Sequence, residues 1–162
     1  IARNEYKYVS ELVTEFGSLP PVICLAGEIN QVVLNIVVNA AHAIGDRVKD
    51  SGERGRITVR TALEGSHAVI SIEDTGGGIP EQVRDRIFDP FITTKGVGKG
   101  TGQGLAIARN VVVEKHQGEL SFVTRPGEGT TFLIKLPVSG SAVRSKSIQA
   151  APDAAERPEV AA

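Results

Sequence analysis

Gln31-Val32-Val33-Leu34-Asn35-Ile36-Val37-Val38-Asn39-Ala40 sets two asparagines four residues apart inside an apolar repeat. Read outward, Ile29, Val32, Val33, Ile36, Val37, Ala40 and Ile44 keep the i, i+3, i+4, i+7 spacing of a helix with one buried face. Gly27 and Glu28 open this helix, and Gly45 is expected to end it. Asn35 and Asn39 share a face that lies beside the apolar stripe, not opposite it. Amides next to a core need partners. One reading bonds them to neighbouring backbone. The other uses a side-chain oxygen as a ligand for Mg²⁺, which takes oxygen ligands and keeps waters alongside substrate phosphates.

On the N-terminal side, residues 6–15 predict a strand, with a competing helical reading. Residues 17–21 predict a turn that Pro20 and Pro21 hold open, and 22–25 a short strand. On the C-terminal side, 46–55 reads as a loop. Strands are expected over 57–63 and 68–72 around a turn at 64–66. Pro80 suits the first turn of a short helix over 81–87. Residues 88–104 are glycine-rich and without periodicity, long for a connection in a compact domain, and loops of that kind are usually functional lids. A second helix is predicted over 105–115, and a hairpin over 119–124 and 130–136. This order predicts an α/β fold: a two-layer sandwich, with a mixed and mostly antiparallel sheet covered on one face by helices. Residues 1–137 are expected to form one domain, and 138–162, rich in Ser, Ala, Pro and charge, a disordered tail or linker.

The 162 residues carry a net charge of −1 and are 41% hydrophobic. That is globular, and it leaves no field to gather nucleic acid or anionic lipid. The single cysteine, Cys24, rules out an internal disulfide and fits a reducing cytoplasm; its apolar neighbours mark it as a small buried hydrophobe. No apolar stretch reaches the roughly 20 residues of a membrane span. The chain opens on Ile1, so it reads as part of a longer protein, with any sensor or anchor outside it.

Three glycine clusters carry the remaining chemistry. Asp74-Thr75-Gly76-Gly77-Gly78-Ile79-Pro80 follows a strand. Its carboxylate can accept from an exocyclic amine, and its glycines let a flat ring approach the backbone; alone, the same residues also read as an acidic turn. Gly96-Val97-Gly98-Lys99-Gly100-Thr101-Gly102-Gln103-Gly104-Leu105 runs into a helix, a loop able to wrap phosphates at free N–H groups. Lys95 and Lys99 add positive charge. The spacing is not that of a P-loop, and no Rossmann unit surrounds it. Gly127-Glu128-Gly129-Thr130 alone reads as a hairpin turn.

Taken in order, these segments resemble the sensor histidine kinases. Residues 31–40 look like their N box and 74–80 like their G1 box. Ile87-Phe88-Asp89-Pro90-Phe91-Ile92-Thr93-Thr94-Lys95 looks like the F box, 100–105 like the G2 box, and Gly129-Thr130-Thr131-Phe132 with Leu136-Pro137 like the closing hairpin. The resemblance spans about residues 5–137. It implies the Bergerat ATP-binding fold with a long ATP lid. By that resemblance Asp74 binds the adenine amino group, Gly76 and Gly78 shape the pocket, Ile79 lines it and Thr130 adds a water-mediated contact. Asn39 ligates Mg²⁺ and Asn35 orders metal and phosphates. Gly100, Thr101, Gly102, Gln103, Gly104 and the amide of Leu105 hold phosphates. Phe88 and Phe91 anchor the lid, and Lys95 or Lys99 reaches the γ-phosphate. Gln103 stands where Leu is frequent, and His42 where many relatives carry Lys or Arg, so His42 either touches phosphate or stays on the helix surface. His67 is expected to be solvated, and His116 to be structural, its charge facing the end of a helix.

Related ATPases place a glutamate at the position of Asn35 to activate water. A neutral amide cannot take that proton, so the resemblance implies a kinase, not a hydrolase, working by positioning and charge neutralisation. The implied partners are the phosphoacceptor and dimerisation helices of a parent kinase, upstream of this chain, and a response regulator receiver domain. No nucleic acid or membrane contact is expected. The domain is expected to be a monomer and its parent a cytoplasmic-facing homodimer. A serine kinase of the anti-sigma type and a nucleotide-sensing module are the other classes. The F box argues against the first, and intact N and G2 boxes against the second.

Overall fold

The computed structural model describes residues 7–49, 53–92 and 102–139. Ile57, Val59 and Ile72 are buried while Arg56 is exposed and Arg60 and Glu73 are half-exposed. That period of two is what a one-sided core imposes on a strand. The sheet has five strands: β1 (Ser10–Phe16), β2 (Gly55–Glu64), β3 (His67–Asp74), β4 (Glu119–Arg125) and β5 (Gly129–Pro137), and β5 alternates most regularly. They lie in the order β1-β2-β3-β5-β4. Only β1 and β2 run parallel; the other pairs are antiparallel. The sheet is therefore mixed and mostly antiparallel, as the pattern predicts.

Helix α1 (Ala26–Val48) lies over β2 and β3, and α2 (Gly104–Arg109) continues as a π-helical stretch (Asn110–Lys115) over β4 and β5. Val32, Ile36 and Ile44 of α1 meet Ile57, Ile72 and Ile134 of the sheet, all fully buried. Each such side chain contributes roughly 1.5–3 kcal/mol. The predicted stripe is borne out, except that Val33 is only half-buried and Ala41 joins the core. At one end Lys115 Nζ meets Glu28 at 2.8 Å, tying the end of the second helical segment to the start of the first. The sheet's other face carries ion pairs among a few apolar side chains such as Val69 and Val123. Arg60 bridges Glu15 at 2.7 Å and Glu73 at 2.6 Å across three strands.

Four local expectations are corrected. Residues 22–25 form no strand; the chain there only leads into α1. Gly45 does not end α1, which runs on to Val48. A methyl at Gly45 would meet only Val9 Cγ1 at 3.7 Å, so no steric demand reserves this position for a chain reversal, and packing on both sides overrides the propensity of one residue. Residues 81–86 form a 3₁₀ helix, a tighter winding of the expected short helix. Cys24 is half-buried at the core's edge, less enclosed than its neighbours suggest.

Candidate functional site

Cross-strand register brings Asp74 opposite Thr130, and Thr130 opposite Thr124. Paired residues share a face, so the three side chains form a row at one end of the helix-covered face. Asp74 and Thr130 are each only 5% exposed. The Asp74 carboxylate accepts from Gly76 N at 2.8 Å and from the backbone N–H of Thr130. Burial nonetheless pushes its pKa up from 3.8 to about 6, outweighing those two bonds.

The glycines around this row are contact sites. A methyl on Gly76 would lie 2.7 Å from Ala43 Cβ of α1. One on Gly78, at φ +76°, would lie 2.5 Å from the Arg125 carbonyl. Gly129 sits directly on the backbone of Asp74 and Thr75. Gly127 N donates to Gly77 O at 2.9 Å. The β4–β5 turn is thus docked on the loop after β3, a role its sequence alone did not reveal. Arg47, in the last turn of α1, donates to Thr75 O at 2.6 Å and holds the same loop from the other side.

Helix α1 links this end to a second one. Asn35 Nδ2 donates to Gly104 O, at the start of α2, at 3.2 Å, while Asn35 Oδ1 accepts from Gln31 Nε2 at 2.8 Å. Ala43 abuts Gly76 two turns further along. Asn39 lies midway between Asn35 and Ala43, four residues or about 6 Å of helix from each. Asn39 is half-buried, as is His42 three residues on. The floor helix therefore presents Asn39 between an acceptor-lined end at Asp74 and a glycine-lined end at Gly104. Ile79 and Leu105 both pack against the core beside it. Gln31 was not singled out by sequence reasoning; its i, i+4 spacing from Asn35 was the available signal.

The start of α2 has no side-chain cap, which leaves first-turn N–H groups without intrahelical partners. Gln103 is exposed and its carbonyl accepts from Ile107 N at 2.9 Å. Phe88 packs edge-on against Phe122 with centroids 6.0 Å apart, so its ring anchors the segment after the 3₁₀ helix. Phe91 does not anchor through its ring, which is 71% exposed. At φ +67° its backbone turns instead, and its N–H donates to Gly102 O at 2.9 Å. That bond joins the two ends of the glycine-rich loop. Lys95, Lys99, Gly100 and Thr101 lie outside the described residues.

The other histidines stand apart from this cleft. His67 opens β3, with Ser66 Oγ 3.3 Å from its Nδ1. His116 is structural, but not through charge: its Nε2 accepts from Leu25 N at 2.9 Å and its Nδ1 donates to Val111 O at 2.7 Å. A ring nitrogen that accepts carries no proton, so this geometry is that of the neutral ring.

The acceptor row at Asp74, the amides of α1 and the start of α2 are strung along one helix, which touches Gly76 at one point and Gly104 at another; together they have the chemistry for a ligand with an amino-bearing ring and an anionic tail. Asn39 offers the hard oxygen that Mg²⁺ favours. The family described as "Histidine kinase-, DNA gyrase B-, and HSP90-like ATPase" matches residues 25–140. The chain is 39% identical over 133 residues to the signal transduction histidine-protein kinase AtoS of Escherichia coli strain K12, covering 82% of this chain and 20% of that protein. It is 35% identical over 159 residues to the sensor kinase CckA of Brucella abortus strain 2308, covering 93% and 16%. The chain thus spans about a fifth of the length of these curated relatives. The solved catalytic domain of histidine kinase ThkA superposes with a TM-score of 0.67 at 29% identity, covering 85% of this chain and 91% of that one.

Proposed function

The chain belongs to the histidine kinase-, DNA gyrase B- and HSP90-like ATPase family, and on that premise we propose that it binds Mg·ATP and presents the γ-phosphoryl group to a histidine on another domain. The carrying observation is the floor helix, whose Asn35 meets Gly104 and whose Ala43 meets Gly76, with Asn39 between. In this reading Asp74, ionised, accepts from the adenine amino group, Gly76 and Gly78 admit the ring, and Ile79 lines it. Thr130 supports the base edge. Asn39 would hold Mg²⁺, which would neutralise phosphate charge. Asn35 acts on the phosphates through Gly104, whose place it holds. Gly100, Thr101, Gly102, Gln103, Gly104 and Leu105 offer backbone to the phosphates, Lys95 or Lys99 a cation, and His42 a further polar group beside Asn39.

Phosphoryl transfer breaks the bond between the γ-phosphorus and its bridging oxygen and forms one to an imidazole nitrogen, releasing ADP. The position facing Gly104 is an amide, which cannot take a proton from water. The chain has three histidines, and none is followed by an acid. The acceptor is therefore a histidine elsewhere in a parent kinase, on dimerisation helices, and a response regulator receives the group in turn. The setting is cytoplasmic; among the described residues no helix is long and apolar enough to cross a membrane.

Incubation with γ-labelled ATP tests this reading. The chain alone should stay unlabelled, and an added phosphoacceptor domain from a related kinase should become labelled. Label on the isolated chain would contradict the proposal.

A further inference from the structure

One hydroxyl ties three parts of the site together. Thr124 Oγ1 receives Ile79 N–H at 2.9 Å, donates to Gly129 O at 3.1 Å, and stands 3.0 Å from Thr130 Oγ1. We propose that Thr124 is a positioning residue that sets nucleobase specificity by fixing the direction of the Thr130 hydroxyl proton. The inference rests on the nucleotide reading above and names the base edge that site selects.

Proton counting decides the direction. A backbone carbonyl only accepts, so the contact with Gly129 uses the single proton of Thr124. A backbone N–H only donates, so Ile79 fills one lone pair of the same oxygen. The remaining contact must be donated by Thr130. Thr130 thereby spends its proton on Thr124 and presents only lone pairs to a ligand.

Its cross-strand neighbour Asp74 is also an acceptor, with a carboxylate held by two backbone N–H groups. The two side chains paired at this end of the site, Asp74 and Thr130, are therefore both acceptors. This pair fits a purine with an amino group at position six, which donates. It opposes the oxygen of a six-oxo purine, which would face these acceptors while the N–H of its adjoining nitrogen could satisfy only one of them. Without the Thr124 hydroxyl, the Thr130 proton loses its partner and is free to turn toward such an oxygen.

Calorimetric titration of the whole chain with ATP and with inosine triphosphate tests this, because the two differ only at position six and the adjoining nitrogen. The unaltered chain should prefer ATP. Thr124→Val, of equal size and without the hydroxyl, should narrow that preference about tenfold, the worth of one hydrogen bond redirected. Thr124→Ser should restore it. Thr124→Ala carries the same measurement if the valine variant loses its melting transition. An equal loss of affinity for both nucleotides in the hydroxyl-free variant would show a merely structural role and overturn the proposal. So would an unchanged ratio. An unaltered chain that binds neither nucleotide overturns the nucleotide reading, and this assignment with it.

Discussion

A single carboxylate sets the stability and the affinity of this site against each other. Asp74 is buried where the proposed function needs an acceptor, and burial raises its pKa to about 6. Between roughly pH 4 and pH 6 the folded chain holds a proton that the unfolded chain has released. Stability without ligand therefore falls as pH rises through that window and stays lower above it. Asp74→Asn, which keeps an acceptor and drops the charge, should stabilise the ligand-free chain at pH 7.5. The gain is on the order of 1–3 kcal/mol, since one pKa unit corresponds to about 1.4 kcal/mol. It should weaken ATP at the same time. Melting curves and calorimetry on one preparation check both; a variant that is less stable and binds equally well would refute the assignment. For the unaltered chain, affinity should fall about tenfold from pH 7 to pH 5, with proton release on binding near pH 6. The acidic turn was legible from Asp74-Thr75-Gly76. Its burial was not, because burial depends on β5 arriving alongside β3.

Elements matter here by their joints. The β4–β5 turn reads locally as a hairpin, yet Gly129 rests on the Asp74 backbone and Gly127 bonds to Gly77. Gly129→Ala should cost at least about 2 kcal/mol, through a steric clash at a position of φ +130°. It should also abolish nucleotide binding, whereas Gly127→Ala, where a methyl meets nothing within 4 Å, should strain only its own turn. Chemical denaturation of the two variants separates them; equal losses would argue against the docking. His116 is the second joint, linking the end of the π-helical stretch to the residue that starts α1. Periodicity placed it past a helix end, but only the fold shows which backbone N–H it receives.

The whole molecule is a sheet with one dry face and a cleft along one helix, so ligand binding should register as global stability. Mg·ATP at a hundred times its dissociation constant should add about 2.7 kcal/mol, read as a rise in melting temperature. Chelating the metal should remove part of that rise, and Asn39→Ala should remove the same part with metal present. An Asn39→Ala chain whose shift still depends on Mg²⁺ would count against this residue as the ligand. From the sequence alone came the helix with its two amides, the strands other than the one expected at 22–25, the glycine clusters and the family they resemble. These are local: a period of 3.6 or 2 and the spacing of small residues are properties of neighbours in the chain. The tertiary structure decided what neighbours cannot. It joined Asn35 to Gly104 across 69 residues and Ile79 to Thr124 across 45. Those outcomes depend on strand register and helix packing, which are fixed only when the whole core closes.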